Sequence, residues 1–422
     1  MIAVIILAAV SGLATYVLLV GNDQPSETIK IGVLADLGAF GESALQGAIL
    51  AAEQLNSQGG ILGKQVEVIA EDHDIESGID MVKISNALTR LITYHNVDFV
   101  IGGASGEAGF VCQEIVSEHK KIFLSYAGTS DALTQRVLDE YEKYKYYFKI
   151  GANDSSISQG IADSRFLLRE STGFNKVGFL AEDLTRNNGI IARMESFFSE
   201  ANGFDLVYKG RFPLGTFDLS SYFAAAEAAE TEILIPLIAG DSGIPFVKEY
   251  YDRQSPMIIY GGSLAKIRFP ESWEWTDGKC EYIVVSTESV TTGYPLTSKT
   301  LPTRDAFINR WGATPSTVGA RAYDILRFIL PDAIERVGTI ETNAVIEALE
   351  ETSIEISLAQ NFVFTSSHDT LMGEHPNNPA EDHMLTILFQ WQDGVQVPVY
   401  PKEIMEEAGA TYMFPDWPGP WD

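Results

Sequence analysis

Several stretches of this chain carry residue types that could do chemistry, and most fail the spacing their chemistry requires. Gly59-Gly60-Ile61-Leu62-Gly63-Lys64 invites a phosphate-loop reading. That loop needs glycine at the first position of G-x-x-x-x-G-K, a hydroxyl after the lysine and a helix beyond it. Here Gln58 and Gln65 stand at the two outer positions and a strand pattern follows, so the run reads as a turn. Gly240-Asp241-Ser242-Gly243 resembles a protease nucleophile turn. A serine nucleophile needs a histidine base, and no histidine stands in a suitable context upstream. Asp241 and Ser242 read instead as helix-capping or ligand-contacting residues. His368, His375 and His383 lie among Asp369, Glu374, Glu381 and Asp382. None forms the i, i+4 helical pair of metallohydrolases, so they read as a solvated loop. Glu71-Asp72-His73-Asp74 reads the same way at a strand end, and Asn153-Asp154-Ser155 fits the N-glycosylation pattern. The sequence therefore predicts no catalytic residue, no metal and no cofactor.

What does converge is a set of hydrogen-bonding turns. Residues 98–134 read as two strand-to-helix units in succession. The strand 98–102 leads through a glycine- and serine-rich turn, 102–109, into the helix 110–119, with Val111, Ile115 and Val116 on one face. The strand 122–125 leads through a polar turn, 126–131, into the next helix. Parallel neighbours put both turns at the carboxyl edge of their sheet, where open α/β sheets bind ligands. Two helix amino termini with free N–H groups then suit a carboxylate or a carbonyl oxygen. The same edge collects 38–42 and 72–76, and a second set comes from 182–188, 239–242 and 261–264. These turns offer small hydroxyls, amides and backbone, with aromatics from Phe40 and Tyr126. Such groups without a nucleophile or a tuned base suit reversible binding rather than catalysis.

The elements behind these turns follow from apolar periodicity. Strands at 30–36, 65–71, 98–102 and 122–125 alternate with helices at 43–56, 79–93 and 110–119, one doubly wound half. A charged, tyrosine-rich segment spans 133–147, and 148–153 reads as a crossover. Helices at 155–171, 189–202, 217–229 and 244–253 then alternate with strands at 176–181, 206–212, 232–238 and 257–262. The strand 281–286 reads as the return crossover. Helices at 303–311, 317–337 and 343–350, a strand at 361–365 and a hairpin of 384–391 with 396–400 complete the chain. The fold class is α/β, with two doubly wound parallel-sheet lobes. Lobe 1 takes 29–148 plus 286–365, and lobe 2 takes 149–285 plus 366–402. Residues 403–422 form a tail in which Pro415, Pro418 and Pro420 disfavour helix and central strand.

A chain of 422 residues exceeds one ordinary core. Its 58 acidic against 29 basic residues leave a net charge of −29. That balance excludes nucleic acid as a partner, because nothing could neutralise phosphates, and opposes docking on an anionic membrane surface. Cys112 and Cys280 read as free, buried thiols. Residues 2–20 are apolar and uncharged, and no Lys or Arg precedes Lys30. Residues 1–21 therefore read as a signal or membrane anchor and 22–28 as a linker, with the body outside the cytoplasm, anchored or secreted.

IGVLADLGAFGESALQGAILAAEQLNSQGGILGKQVEVIAEDHD, DFVIGGASGEA, IFLSYAGTSDALT and ARAYDILRFILPDAIE follow one another in order. With that order and spacing, the chain resembles the type I periplasmic solute-binding proteins over about residues 29–400. The resemblance is to the branched-chain amino acid and amide/urea receptors of ABC transporters. It implies two lobes joined by three crossovers and a ligand closed between them by hinge motion. It implies an aromatic ligand contact from Phe40, a carboxylate site at Ser105, Gly106 and Glu107, and backbone and hydroxyl contacts from Ala127 and Thr129.

The chain also departs from the amino acid receptors. Gly106 replaces a hydroxyl. Gly261, Gly262 and Ser263 stand where the acidic partner of the ligand ammonium is expected. Asn187 or Asn188 replaces an aromatic of the second lobe. A buried ammonium without a counter-charge is costly, so Asp241 or Glu107 supplies it from another position, or the ligand is a neutral amide or urea.

The expected function is that of an extracytoplasmic substrate-binding protein, not an enzyme. It would bind an amino acid, small amide or urea and deliver it to an ABC transporter permease. The alternatives are a membrane-anchored ligand sensor of the same fold and an αβ enzyme using the crevice.

Overall fold

Short apolar runs, buried along nearly their whole length, build the two main sheets. Ile29–Ala35, Val66–Asp72, Phe99–Gly102 and Phe123–Ser125 show this in the first. A parallel strand covered on both faces reads as a continuous apolar run rather than an alternating one. The structure, a computed structural model, describes residues 3–7, 15–19, 28–37, 40–73, 80–103, 106–287, 289–373 and 383–421. The chain divides into two compact units. One holds Met1–Asn153, Pro295–Gly373 and Glu381–Met384; the other holds Asp154–Tyr294, Glu374–Ala380 and Leu385–Asp422.

In unit 1 the parallel strands run Val66–Asp72, Ile29–Ala35, Phe99–Gly102, Phe123–Ser125, Tyr147–Lys149 in spatial order. The 148–153 segment, expected as a bare crossover, thus begins inside the sheet as its last strand. An antiparallel hairpin of Ala3–Leu7 and Thr15–Leu19 adds to the other edge, joined at Val17 and Ile69. Of the apolar run 2–20, only these two strands are described and the remainder lies outside the described residues; no helix among the described residues is long and apolar enough to cross a membrane.

The helices Phe40–Ser57, Met81–Thr93 and Gly106–His119 are the crossovers of this sheet. Asp80 starts the second of them by accepting from the N–H groups of Val82 (2.9 Å) and Lys83 (3.2 Å). The helical stretch expected at 317–337 is present as Thr317–Asp324, one π turn at Ile325–Ile329, and Leu330–Val337. Ser353–Ile354 and Phe362–Val363 pair as a small antiparallel ribbon.

In unit 2 the parallel order is Ile258–Ile259, Ile233–Ile238, Lys176–Glu182, Asp205–Phe212. Side chains alternate across the central strand. Leu234 and Ile238 pack with Phe246, Val247 and Tyr250, while Ile233, Ile235 and Leu237 pack with Met194 and Phe198. The strand expected at 257–262 is broken in two. Gly261 (φ 65°) and Gly262 (φ 70°) adopt left-handed backbone between Ile258–Ile259 and Ser263–Leu264, and both pieces pair with Ile233–Ile238. A Cβ on Gly262 would lie 2.0 Å from Pro236 O, so only glycine lets the chain turn there.

The 281–286 run, expected as the return crossover, stays in unit 2. Val284–Ser286 pairs antiparallel with Leu388–Gln392, which pairs with Val395–Tyr400. Val284 and Val285 are buried, so pairing covers an apolar run that a bare crossover would expose. At the C-terminal tail, Lys402–Glu407 is a helix, and the buried Trp417 donates its Nε1–H to Ser255 O at 3.0 Å. Cys112 and Cys280 are free and buried, and burial pushes the Cys280 thiol up to about 12.

Candidate functional site

The carboxyl edge of the unit 1 sheet is built by the residues just beyond each strand. After Ile29–Ala35 comes Asp36, which is buried, and after Val66–Asp72 comes His73, also buried. His73 N donates to Ala35 O at 3.1 Å, and Leu37 N to Asp72 Oδ1 at 3.3 Å, so the first two strand ends are tied together. Burial holds the His73 imidazole below its usual value, opposed by the nearby charges of Asp36 and Asp72. Neither carboxylate oxygen of Asp36 and neither ring nitrogen of His73 has a hydrogen-bond partner among the described residues. Asp72 and His73, expected in a solvated turn, are tied into the strand ends, and His73 and Asp36 are buried. A charged residue closing a wholly apolar strand was the available signal.

The second turn of the 98–134 stretch is held rigidly. Tyr126 N donates to Gly102 O at 2.9 Å, and the Tyr126 hydroxyl donates to Leu34 O at 3.0 Å. Tyr126 is buried, which pushes its phenol well above the usual range. Ser125 Oγ donates to Ala127 O, and Arg321 Nη1 donates to Tyr126 O at 3.2 Å. Gly103 approaches Ala127 so closely that a Cβ there would lie 2.9 Å from Ala127 N. Thr129 at the tip is exposed.

The first turn differs from expectation. The helix begins at Gly106, so Gly106 and Glu107 occupy its first turn, not a loop before it. Small residues let the helix form this early: a Cβ on Gly106 would lie 3.1 Å from Ser130 Cβ, and Gly109 and Ala108 are buried. The Glu107 side chain is exposed, while Ser105 lies outside the described residues. Phe40 is the first residue of the helix Phe40–Ser57.

In unit 2 the strand Lys176–Glu182 also ends in a charged residue. Glu182 has 0% exposure, and its Oε2 accepts from the N–H groups of Ala239 (2.7 Å) and Gly240 (3.0 Å). The helix Thr185–Phe197 begins earlier than expected, placing Asn187 and Asn188 in its first turn. Asn187 is buried and donates Nδ2–H to Glu182 O (2.8 Å) and Leu237 O (3.1 Å), clamping two adjacent strand ends. Asn188 is exposed. Asp241 is exposed and pairs with Lys266 at 3.2 Å, which engages the carboxylate proposed as an ammonium anchor. Ser263 pairs with Leu237 at the sheet edge, and its Oγ lies 3.5 Å from Arg268 Nη2.

The remaining motifs have structural employment. Ile61 and Lys64 exchange backbone hydrogen bonds at 2.9 Å each way, closing the Gly59–Lys64 run as a turn. His368 stacks on Phe148 and sits 2.8 Å from Glu350, and His383 Nδ1 lies 3.2 Å from Asn361 O. Asn153 donates to Asp369 at 2.9 Å. His375 lies outside the described residues. The described residues hold no cluster of His, Cys, Asp or Glu arranged for a metal.

Known proteins share this architecture. The periplasmic binding protein family matches residues 28–375. The Leu/Ile/Val-binding protein homolog 7 of Brucella melitensis is 22% identical over 402 residues, covering 92% of this chain and 95% of that one. The branched-chain amino acid transporter substrate-binding protein LivJ of Streptococcus pneumoniae, solved with isoleucine, superposes with a TM-score of 0.71 at 21% identity. That match covers 89% of this chain and 100% of LivJ. An ABC transporter substrate-binding protein of Desulfitobacterium hafniense, solved with Leu, gives 0.69 at 20% identity, covering 88% and 100%.

Proposed function

The chain belongs to the periplasmic binding protein family, and from that premise we propose that it is the extracytoplasmic substrate-binding protein of an ABC transporter. Its ligand is an amino acid with an apolar side chain, which it hands to a permease. The observation that carries this reading is the span of the likeness. The Leu/Ile/Val-binding homologue is matched over 95% of its length, so both units are shared and not one motif. The site chemistry agrees with it. The strand ends present backbone N–H groups, hydroxyls, amides and carboxylates, a set suited to holding a small polar solute. Ligand binding acts by shifting the population of a closed form, as the resemblance implies.

A small amide or urea is the second ligand class, favoured by the glycines at 261 and 262 where an acidic residue was expected. The apolar run 2–20 supports export or tethering; fractionation of cells into membrane and soluble extracytoplasmic pools tests which. The ligand reading is tested by a thermal-shift screen over the amino acids, small amides and urea. A ligand at about 100 times its dissociation constant stabilises the folded chain by about 2.7 kcal/mol. Leucine, isoleucine or valine should give such a shift. A response to urea or amides alone would move the ligand class, and none from any compound would overturn the reading.

A further inference from the structure

We propose that Glu182 supplies the counter-charge for a primary ammonium group on the ligand. The proposal rests on the solute-binding reading above and answers the question the sequence left open. Glu182 is wholly buried at the carboxyl end of a parallel strand, the edge where such sheets bind ligands. One oxygen, Oε2, is fixed by the backbone N–H groups of Ala239 and Gly240. The other, Oε1, has no hydrogen-bond partner among the described residues.

A buried carboxylate with one oxygen unpaired is costly, and no cationic side chain among the described residues pairs with it. Two further buried acceptors stand at the same edge without partners: Asn187 Oδ1 and Ser242 Oγ. Asn187 is bound to the Glu182 carbonyl, and Ser242 is two residues beyond the Gly240 that holds Oε2. A primary ammonium has three N–H donors and no acceptor, so each of these groups suits it in sign. A Cβ on Gly240 would lie 2.9 Å from Oε1. By contrast Asp241 is exposed and engaged by Lys266, and Glu107 is exposed.

The test is calorimetric titration of the full chain with each amino acid and its des-amino carboxylate, leucine against 4-methylpentanoate for example. Wild-type protein should bind the amino acid about 10- to 100-fold more tightly, the range for a hydrogen bond to a charged group. Glu182→Gln keeps a carbonyl oxygen for the Ala239 and Gly240 N–H groups. It should lose that same factor for the amino acid and change little for the des-amino compound. Gly240→Ala, which crowds Oε1 without altering charge, should weaken the amino acid selectively. Equal wild-type affinity for the two compounds, a comparison that needs no variant, overturns the ammonium contact and leaves the solute-binding reading intact. So does a folded Glu182→Gln protein that keeps full amino acid affinity. A wild-type protein that binds no amino acid, des-amino carboxylate, small amide or urea overturns both.

Discussion

Lys149 Nζ lies 2.8 Å from Asp369 Oδ1, and both side chains are buried. Further hydrogen bonds hold the pair. Lys149 also donates to Gly151 O at 2.7 Å, and Asp369 Oδ2 accepts from Thr134 (3.1 Å) and Asn153 (2.9 Å). It ties the strand Tyr147–Lys149 to the segment that leaves unit 1 at Gly373. Breaking such a pair leaves one buried charge uncompensated, at a cost of about 3–5 kcal/mol. Lys149→Met should therefore lower the urea midpoint steeply, and adding Asp369→Leu should restore much of it. An unchanged midpoint in Lys149→Met would show that the pair contributes nothing.

Asp324 sits where the long helix passes into its π turn, accepting from Ser357 N (3.2 Å) and Ser357 Oγ (2.8 Å). Burial pushes its carboxyl up to about 7, against the pull of the Ser357 hydrogen bonds. The folded state then keeps a proton that the unfolded carboxyl, near 3.8, has released. The group's favourable contribution is full below the unfolded value and is lost as pH rises through the folded one. Asp324→Asn removes this titration. Its stability relative to wild type should rise from about pH 4 to about pH 8, read from denaturant midpoints at each pH. A difference independent of pH would place the carboxyl at its ordinary value.

Asp80 caps the helix Met81–Thr93 through two backbone N–H groups. Asp80→Ala should cost about 1 kcal/mol, and Asp80→Ser only a fraction of that, since a hydroxyl also caps. Thermal melts of the two variants beside wild type check the order. Equal melting of Ala and wild type would mean that solvent replaces the cap without loss.

Tyr126 and Thr129 are three residues apart and should respond oppositely. Tyr126→Phe removes the hydroxyl that donates to Leu34 O, lowering ligand-free stability by about 1 kcal/mol while the ligand-induced shift persists. Thr129→Ala, at an exposed tip, should leave ligand-free stability within about 0.5 kcal/mol and abolish the shift. Retention of the full shift by Thr129→Ala would remove that residue from the site.

The strands and helices were legible because apolar periodicity is a local property. Ile29–Ala35, Val66–Asp72 and Ile233–Ile238 lie close to where their patterns put them. Helix starts were less legible. Gly106 and Asn187 look like loop residues by type, but close packing against Ser130 and a buried clamp on Leu237 draw both into first turns. The candidate site was legible as a set of turns at one sheet edge and not as a division of labour. The aromatic ring of Tyr126 is legible by type, but the bond from its hydroxyl to Leu34 O, 92 residues away, is not. Asp241 was chosen for its charge, and the structure gives that charge to Lys266.

By itself, the sequence determined the α/β class, the alternation of strand and helix and the edge where the turns gather, since periodicity and turn chemistry need only near neighbours. The tertiary structure decided which carboxylates stay buried and which are already paired. Glu182 depends on N–H groups 57 and 58 residues away, Asp324 on Ser357, and Asp369 on Lys149. The energy of a charge is set by burial and by partners that only folding brings within hydrogen-bond reach.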